Sequence, residues 1–333
     1  MSFWLNKQVL VTGATGFLGF WLTQKLIASG ASVIAFIRDH NTQSELYRSG
    51  LVKEISVVTG CLENCYDLER TLTDYNIDTI FHLGAQTLVG AAAKAPLLTF
   101  EANIRGTYHL LEACRRYPGA LERIVIASSD KAYGSSPILP YTENMSLQGQ
   151  FPYDVSKSCC DLISKCYAHT YGLPISIARC GNLFGGGDLN WSRLIPGTIR
   201  SLLTAQSPVL RSDGTFIRDY LYIADAVDAY LCLAEKMSQQ GVVGEAFNFA
   251  PSRPYSVLEI VHLLQDILEC PHIEPIIQNG ARCEIKEQYL TSKKAEGKLG
   301  WTAKYEMDVA LEETVVWYRE FLSKKTRQSY ALC

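Results

Sequence analysis

Three side chains that can move protons stand next to one another near the middle of the chain. Ser129, Asp130 and Lys131 follow the apolar run 124–127, which has the length and composition of a buried strand. A carboxyl group and an amine side by side can act as general acid and general base, provided that burial keeps each of them neutral. The alternative is an inert turn pair in solvent. Parallel sheets bind ligands at the carboxyl ends of their strands, and this position favours chemistry.

A tyrosine and a lysine follow at a spacing that places them on one helix face. Tyr153 and Lys157 stand four residues apart, which brings their side chains together if this segment is helical. Such a pair also arises by chance as a surface aromatic beside a surface cation. Here we expect the lysine charge, together with the positive charge of an oxidised redox cofactor, to lower the pKa of the tyrosine. Tyr153 would then take a proton from a substrate hydroxyl as hydride leaves the carbon, and Ser129 would hydrogen-bond that hydroxyl.

A glycine-rich turn between a strand and a helix predicts a dinucleotide site. Gly13, Gly16 and Gly19 have the spacing G-x-x-G-x-x-G, directly after an apolar run and before a helical pattern. Glycines let the backbone approach a pyrophosphate, and the helix N-terminus offers unpaired N–H groups. A bare glycine pattern is weak, but these flanking elements match the known arrangement.

The residues at the strand ends bear on which dinucleotide binds. The second strand ends in Arg38-Asp39, where an acid binds the ribose hydroxyls of NAD and an arginine binds the 2′-phosphate of NADP. We expect NAD, held by Asp39, with NADP left open because of Arg38. The other expected cofactor contacts, besides Tyr153 and Lys157, are Thr15, Phe17, Leu18, Cys61, Leu62, Leu83, Gly84 and Ala85.

The elements that must position these residues alternate between strands and helices. Strands are predicted at 8–12, 32–37, 55–59, 79–83, 124–127 and 175–178, and helices at 17–28, 96–116 and 156–171. Later come helices at 194–203, 224–236, 257–268 and 309–322, an extended segment at 216–222 and a strand at 246–249. This alternation predicts an α/β protein: a Rossmann-type, doubly wound parallel sheet with a smaller C-terminal α/β substrate lobe.

Two domains are expected, because the regular alternation of strands and helices gives way after Gly181 to a loop rich in glycine and asparagine. The dinucleotide-binding domain comprises residues 1–180 and roughly 217–247, and the substrate lobe comprises 181–216 and 248–325.

Composition narrows the class of protein. With 333 residues, 47% of them hydrophobic, and a net charge of −3, the chain has a large core and no basic field for nucleic acid. No apolar run is long enough to span a membrane, and no signal peptide is recognisable, so we expect a cytoplasmic protein. The eleven cysteines show no metal-ligand spacing, and no metal is expected. His82 is interpreted as a core histidine.

Several of these stretches resemble one family. The segments T-G-A-T-G-F-L-G (12–19), Y-D-V-S-K (153–157) and R-C-G-N-L-F-G (179–185), with Ser129, resemble the extended short-chain dehydrogenase/reductase superfamily, which includes nucleotide-sugar epimerases and dehydratases. The opening segment, S-S-D-K (128–131), G-G-G-D-L-N-W-S-R-L-I-P (185–196) and E-I-K-E-Q-Y-L (284–290) look closest to CDP-glucose 4,6-dehydratases.

The resemblance implies a reaction. In 4,6-dehydration, C4 is oxidised, water is eliminated across C5 and C6, and hydride returns to C6. By this similarity Lys131 is the base toward C5 and Asp130 the acid toward the C6 oxygen, although the two roles could be exchanged. The rival functions are a nucleotide-sugar 4-epimerase or reductase, which leaves Asp130 and Lys131 without work, and a non-catalytic dinucleotide sensor.

The resemblance also implies the substrate contacts and the assembly. Asn182 matches a position that contacts the sugar-nucleotide phosphates, and Arg218 and Arg282 match two arginines that grip the diphosphate. The alternatives are an Arg218–Asp219 pair and a surface arginine at 282. The remaining expected substrate contacts are Gln86, Asn103, Arg193 and Leu194, of which Asn103 could equally be a helix-packing hydrogen bonder and Arg193 a surface charge. A homodimer through the helices at 96–116 and 156–171 is expected.

Overall fold

The structure is a computed structural model that describes residues 2–117, 119–280 and 285–330, with side chains as far as residue 323. The strands are β1 (Gln8–Thr12), β2 (Ser32–Ile37), β3 (Ser56–Thr59), β4 (Thr79–His82), β5 (Arg123–Ser129), β6 (Ile175–Cys180), β7 (Asn182–Phe184), β8 (Val209–Leu210), β9 (Ile217–Arg218), β10 (Tyr220–Tyr222), β11 (Ala246–Phe249), β12 (Tyr255–Ser256), β13 (Ile276–Ile277) and β14 (Glu287–Gln288).

The α-helices are α1 (Phe17–Ala28), α2 (Glu45–Arg48), α3 (Cys65–Asp74), α4 (Val89–Lys94), α5 (Pro96–Phe100), α6 (Gly106–Arg116), α7 (Pro152–Tyr171), α8 (Leu194–Leu203), α9 (Ile223–Glu235), α10 (Val257–Ile267), α11 (Lys293–Leu299) and α12 (Met307–Tyr330). Within the described ranges, no helix is both long enough and apolar enough to cross a lipid bilayer.

Seven parallel strands form the central sheet, in the order β11-β6-β5-β4-β1-β2-β3. One hydrophobic cluster packs α1 and α9 on one face, and a second packs α3 and α6 on the other. Because both faces are covered, the strands consist of nearly continuous runs of buried apolar residues. The predicted doubly wound Rossmann-type fold is confirmed.

The strand order decides where a ligand can bind. The chain leaves β1 toward β2 and β3 on one side and continues with β4, β5 and β6 on the other, so the order reverses between β1 and β4. A crevice forms at such a reversal, outside the carboxyl ends of the strands. The glycine turn after β1, the segment after β4 and Ser129 at the end of β5 all lie at that edge.

The structure changes the expected bounds of several elements. The helix predicted to start at Ser156 begins at Pro152, because proline fits the first helical position, and Tyr153 therefore lies in its first turn. The helix predicted over 96–116 is divided by a π-helical segment at Glu101–Arg105. Helices α2, α3, α4 and α11 are additions that the sequence interpretation did not contain.

The C-terminal part has its own small core. Helices α8, α10 and α12 enclose a third hydrophobic cluster, beside a three-stranded sheet of β12, β9 and β14. Strand β14 pairs in parallel with β9, which brings Gln288 opposite Arg218. The division of the chain into two domains at the expected boundaries remains a prediction.

Candidate active site

The turn after β1 is built from backbone that tolerates no side chain. Gly13 has φ +74°, and a Cβ there would lie 2.8 Å from the amide nitrogen of Gly84 at the end of β4. A Cβ on Gly19 would lie 2.1 Å from the carbonyl oxygen of Gly13. Helix α1 has no side-chain cap and no acidic residue in its first turn, so its N–H groups remain available to an anion. Gly16, Phe17 and Leu18 lie at this helix start. These features fit a dinucleotide pyrophosphate.

A buried threonine joins β1 to the segment after β4. Thr12 Oγ1 accepts hydrogen bonds from the N–H groups of Leu83 and Gly84, each at 3.1 Å, and lies 2.9 Å from His82 Nδ1. Because both lone pairs are occupied, the hydroxyl proton goes to Nδ1, and His82 Nε2 donates to Thr107. Burial lowers the pKa of His82 to about 3, so the ring is neutral. His82 is a core histidine, as expected.

The outer end of the groove carries the residues expected to select the cofactor. Arg38 Nε and Asp39 Oδ2 are 2.7 Å apart, and both side chains are about two-thirds exposed (70% and 67%). The Asp39 carboxylate raises the pKa of Arg38, and Glu63 and Cys61 add smaller effects. Leu62 contacts the position that a Cβ on Gly84 would take. The strand order places Arg38, Asp39 and Cys61 at neighbouring strand ends.

Ser129 occupies the centre of the acid–base group. Its Oγ donates to Asp130 Oδ1 at 2.7 Å and accepts from the Lys131 backbone N–H at 3.2 Å. Ser129 also lowers the pKa of Tyr153, against the larger effect of burial. Asp130 is 3% exposed, and its other oxygen, Oδ2, has no hydrogen-bond partner among the described residues. Burial raises the pKa of Asp130, which favours the protonated acid.

The tyrosine–lysine pair differs from the expectation in one respect. Tyr153 is buried in the first turn of α7, and burial raises its pKa, with the Asp130 charge raising it further. The sequence suggested a lowered pKa, through Lys157. In the structure, Lys157 Nζ instead donates to the carbonyl oxygen of Ala127 at 2.8 Å, and burial lowers its pKa. Desolvation therefore outweighs the lysine charge, and deprotonating Tyr153 requires a further positive charge.

Two residues next to Lys131 escaped the sequence interpretation. The Lys131 ammonium donates to Gln288 Oε1 of β14, and Gln288 Nε2 has no partner in the described part of the chain. Asp154 is 1% exposed, and burial raises its pKa to about 6 while the Lys131 charge opposes the shift. Asp154 directly follows Tyr153, a signal that was available, whereas nothing in the sequence connects Gln288 to Lys131.

Asn103 supports the site without lining it. Its Oδ1 accepts from the N–H of Gln86 at 2.7 Å, and its Nδ2 donates to the Gln86 carbonyl at 3.0 Å and to Ser156 Oγ at 2.8 Å. Asn103 therefore acts as a packing hydrogen bonder that fixes the segment after β4 against α7. Because Asn103 is 1% exposed, direct contact with substrate is not what this geometry favours.

The expected substrate contacts are spread over the lobe. Arg218 is buried, and its guanidinium donates to the carbonyls of Ile217, Ile285 and Lys286. The alternative Arg218–Asp219 pair does not form, because Asp219 accepts from the N–H of Leu290. Arg218 is thus held by backbone carbonyls, and its positive charge acts on Asp130, where it lowers the pKa.

The remaining expected substrate contacts of the lobe lie on α8 and β7 or outside the described residues. Arg193 pairs with Asp188 at 3.0 Å and precedes Leu194, the first residue of α8. Asn182 is exposed at the start of β7. Arg282 lies outside the described residues.

Known proteins share this fold and its motifs. The family profile described as "NAD dependent epimerase/dehydratase family" matches residues 9–250. The CDP-glucose 4,6-dehydratase of Salmonella typhimurium is 27% identical, over 96% of this chain and 93% of that protein.

Solved structures point in the same direction. A UDP-glucose 4-epimerase of Thermotoga maritima has a TM-score of 0.86 at 26% identity, covering 95% of this chain and 99% of its own. A dTDP-glucose 4,6-dehydratase of Streptomyces venezuelae, solved with NAD bound, has a TM-score of 0.84 at 26% identity, covering 94% and 97%. Dehydratases and epimerases are therefore similar to this chain to the same degree.

Proposed function

Because this chain belongs to the NAD dependent epimerase/dehydratase family, an enzyme family whose cofactor is NAD, we propose that it is a nucleotide-sugar 4,6-dehydratase. The proposed substrate is a nucleotide-diphosphate hexose, with CDP-glucose as the first choice, and the product is the 4-keto-6-deoxy sugar. The CDP-glucose 4,6-dehydratase of Salmonella typhimurium supports this choice of substrate.

The glycine turn, the N-terminus of α1 and the strand ends that carry Asp39 and Gly84 would hold the cofactor. When bound there, NAD would supply the redox chemistry, as acceptor and then donor of hydride. The chain's own residues then have to move protons, and each has a candidate role.

Tyr153 and Ser129 act at the C4 hydroxyl. Tyr153 takes its proton as C4 becomes a ketone, and Ser129, which lowers the pKa of Tyr153, favours the phenolate that this step needs. The ketone acidifies the hydrogen at C5, so the next step needs a base at C5 and an acid at the C6 oxygen.

Asp130 is the proposed acid, and its geometry is the observation that carries the dehydratase assignment. One oxygen is held by Ser129, while the other is buried and has no partner in the described structure. If Oδ2 carries a proton, that O–H group can donate a hydrogen bond only to an oxygen atom of a bound ligand. A 4-epimerase has no elimination step, so its reaction would not use a buried carboxylic acid at this position.

Lys131 is the proposed base at C5. A base must be neutral when it works, and a charged partner would hold the lysine in its protonated form. The Lys131 amine donates to the uncharged Gln288, and its charge also acts on the carboxyl groups of Asp130 and Asp154. The choice of Lys131 as base over the exchanged assignment follows from the resemblance of S-S-D-K (128–131) to CDP-glucose 4,6-dehydratases.

One assay tests the proposed function. The purified protein is given CDP-, UDP-, GDP- and dTDP-glucose deuterated at C4, with NAD and without added reductant. A dehydratase releases a product lighter by one water, with the label at C6. Unchanged mass with inversion at C4 would replace the proposal by a 4-epimerase, which the Thermotoga maritima similarity makes the second candidate. If every nucleotide sugar is recovered unchanged, the result favours a non-catalytic sensor. The presence of Ser129, Tyr153 and Lys157 argues against this outcome, because a sensor does not need all three.

We also propose a homodimer in the cytoplasm. Leu97, Leu98 and Leu162 are exposed on α5 and α7, the helices expected to form the contact. Measurement of the mass in solution by light scattering, before and after Leu98→Glu, tests the dimer.

A further inference from the structure

The proposed reaction, on which this inference rests, needs side chains from two elements to act on one hexose in succession. Tyr153 acts at C4 and lies in the first turn of α7. The elimination pair, Asp130 and Lys131, acts at C5 and at the C6 oxygen, and lies in the 3₁₀ turn Asp130–Tyr133 after β5. Because C4, C5 and C6 are consecutive carbons, elimination can follow oxidation only if the turn and the helix keep a fixed distance.

A buried ion pair connects α7 to β6. Tyr153, Lys157 and Asp161 follow one another at intervals of four residues and therefore lie on one face of α7. The Asp161 carboxylate accepts hydrogen bonds from Nε and Nη2 of Arg179, each at 2.8 Å, and both side chains are at most 1% exposed. Desolvation offsets much of the attraction in a buried pair, so the main effect of this two-point contact is to fix the orientation of the guanidinium group.

The remaining terminal nitrogen of Arg179 holds the end of the turn. Its Nη1 donates to Tyr133 Oη at 2.6 Å, and Tyr133 Oη donates in turn to Asn248 Oδ1 of β11 at 2.7 Å. Burial raises the pKa of Tyr133 to about 12, so the hydroxyl keeps the proton that the second bond needs. The ring also stacks on that of Tyr141, with the ring centroids 4.9 Å apart. The last residue of the turn is thus held by two strands of the central sheet.

A second contact connects the turn to α7 directly. Ser158 of α7 donates from its Oγ to the carbonyl oxygen of Ala132 at 2.9 Å. A second acceptor for this proton is the Asp154 carbonyl of the same helix, at the longer distance of 3.1 Å. Both Ala132 and Tyr133, which form the second half of the turn, are therefore connected to α7.

We propose that Tyr133 and Ser158 are positioning residues, which keep the elimination pair at a fixed distance from Tyr153. Tyr133 does so through Arg179 and Asp161, and Ser158 does so through the backbone of the turn. Both hydroxyl groups are occupied by protein partners, so neither acts on the sugar itself. A hexose that is oxidised at C4 then already has C5 and the C6 oxygen next to the elimination pair.

The test compares two steps within one turnover. NAD-loaded enzyme is used in excess over the nucleotide-glucose that the wild-type protein dehydrates. The absorbance of reduced nicotinamide measures oxidation at C4, and the mass of the quenched sugar measures loss of water. Tyr133→Phe keeps the ring but removes the link to Arg179. We expect the ratio of the elimination rate to the oxidation rate to fall roughly tenfold, with accumulation of reduced nicotinamide, because a displacement of about 1 Å slows a reaction that depends on position.

Tyr318→Phe is the matched control for Tyr133→Phe. Tyr318 is fully buried in α12, and its hydroxyl donates to the Asp188 carbonyl in the lobe. This substitution also removes a buried hydroxyl, so it should lower the temperature of thermal unfolding as Tyr133→Phe does. It should leave the ratio of the two rates unchanged.

Ser158→Ala is a milder variant that tests the same role if Tyr133→Phe does not fold. The Ala132 carbonyl keeps its hydrogen bond from the Gln148 N–H at 3.1 Å, so we expect the rate ratio to fall only about threefold. Ser164→Ala is its control, because Ser164 is also buried in α7 and its Oγ donates to a backbone carbonyl of the same helix at 2.7 Å. This control should leave the ratio unchanged.

The outcomes separate this inference from the proposed function. If Tyr133→Phe and Ser158→Ala slow both steps equally, or slow neither, the positioning role is overturned while the dehydratase stands. The same conclusion follows if Tyr318→Phe lowers the ratio as much as Tyr133→Phe, because the hydroxyl groups then only stabilise the fold. A wild-type protein that binds NAD and nucleotide sugar but forms no dehydrated product would overturn both proposals.

Discussion

The two halves of the acid–base pair are built by different parts of the molecule. Asp130 accepts a hydrogen bond from Ser129, the residue beside it in the sequence. Lys131 is fixed by Gln288, 157 residues away on a short strand of the lobe. The acid thus belongs to the Rossmann core, and the base depends on how the lobe packs onto that core.

The largest expected effect is on the pair itself. Asp130→Asn and Lys131→Ala should each lower dehydration by about 10²- to 10⁴-fold, the usual contribution of a general acid or base. Oxidation at C4 should persist in both variants, because Tyr153 and Lys157 are untouched. Single-turnover kinetics with C4-deuterated sugar measures both steps. Loss of C4 oxidation as well would mean that the pair serves binding and not elimination.

Gly13→Ala tests whether the glycine turn of the Rossmann core binds the cofactor. The substitution forces a side chain onto a residue with φ +74° and places Cβ 2.8 Å from the Gly84 nitrogen. We expect a loss of about 1–3 kcal/mol in stability, from backbone strain, and a weaker affinity for NAD. Thermal unfolding and NAD titration by calorimetry measure these effects. Gly297→Ala is the matched control, since a Cβ on this exposed helical glycine contacts nothing within 4 Å. Unchanged NAD affinity in Gly13→Ala would remove the glycine turn from the cofactor site.

Gln288→Glu tests the lobe side. A carboxylate next to the Lys131 amine favours the ammonium and raises the pKa of Lys131. A base works only above its pKa, so the rising limb of the pH–rate profile should move to higher pH, by about one unit. Gln265→Ala, another buried glutamine of the lobe, controls for general damage and should leave the limb in place. An unshifted limb in Gln288→Glu would mean that Lys131 is not the titrating base.

Asp154→Asn gives the smallest effect, which is measured on stability. The pKa of Asp154 is raised from 3.8 to about 6 in the folded protein, so the folded state binds more protons than the unfolded chain between those values. Stability contributed by the neutral carboxyl is therefore lost as pH rises from about 4 to about 6. Asparagine mimics the neutral form, and Asp154→Asn should gain about 2 kcal/mol at pH ~8 and nothing at pH ~4. Urea unfolding of both proteins at the two pH values measures the difference in the free energy of unfolding. An equal gain in stability at both pH values would contradict the raised pKa of Asp154.

The same contrast explains what the sequence could predict. The central sheet, the glycine turn and the Ser129–Asp130–Lys131 group were predictable because periodicity, turn chemistry and strand ends are local signals. The start of α7 was placed four residues late because Pro152 resembled loop and not the first residue of a helix. The rise in the Tyr153 pKa in the protein without cofactor was not predictable, because desolvation depends on the whole pocket.

The lobe was harder for the same reason. Strand β14 has two residues and pairs with β9 across 70 residues of chain, so no periodic pattern marks it. The contact of Gln288 with Lys131 and the carbonyl cage around Arg218 arise only when these segments meet. Short-range spacing carries no information about either contact.

Exchange of the C5 hydrogen in heavy water tests most directly whether Lys131 and Asp130 face the hexose as base and acid. CDP-glucose and NAD are incubated in D₂O with Asp130→Asn or Lys131→Ala, and the recovered sugar is examined by NMR. Asp130→Asn should incorporate deuterium at C5 without losing water, because Lys131 still removes the proton but the C6 oxygen is not protonated. Lys131→Ala should incorporate none. Deuterium in Lys131→Ala and none in Asp130→Asn would contradict the assignment.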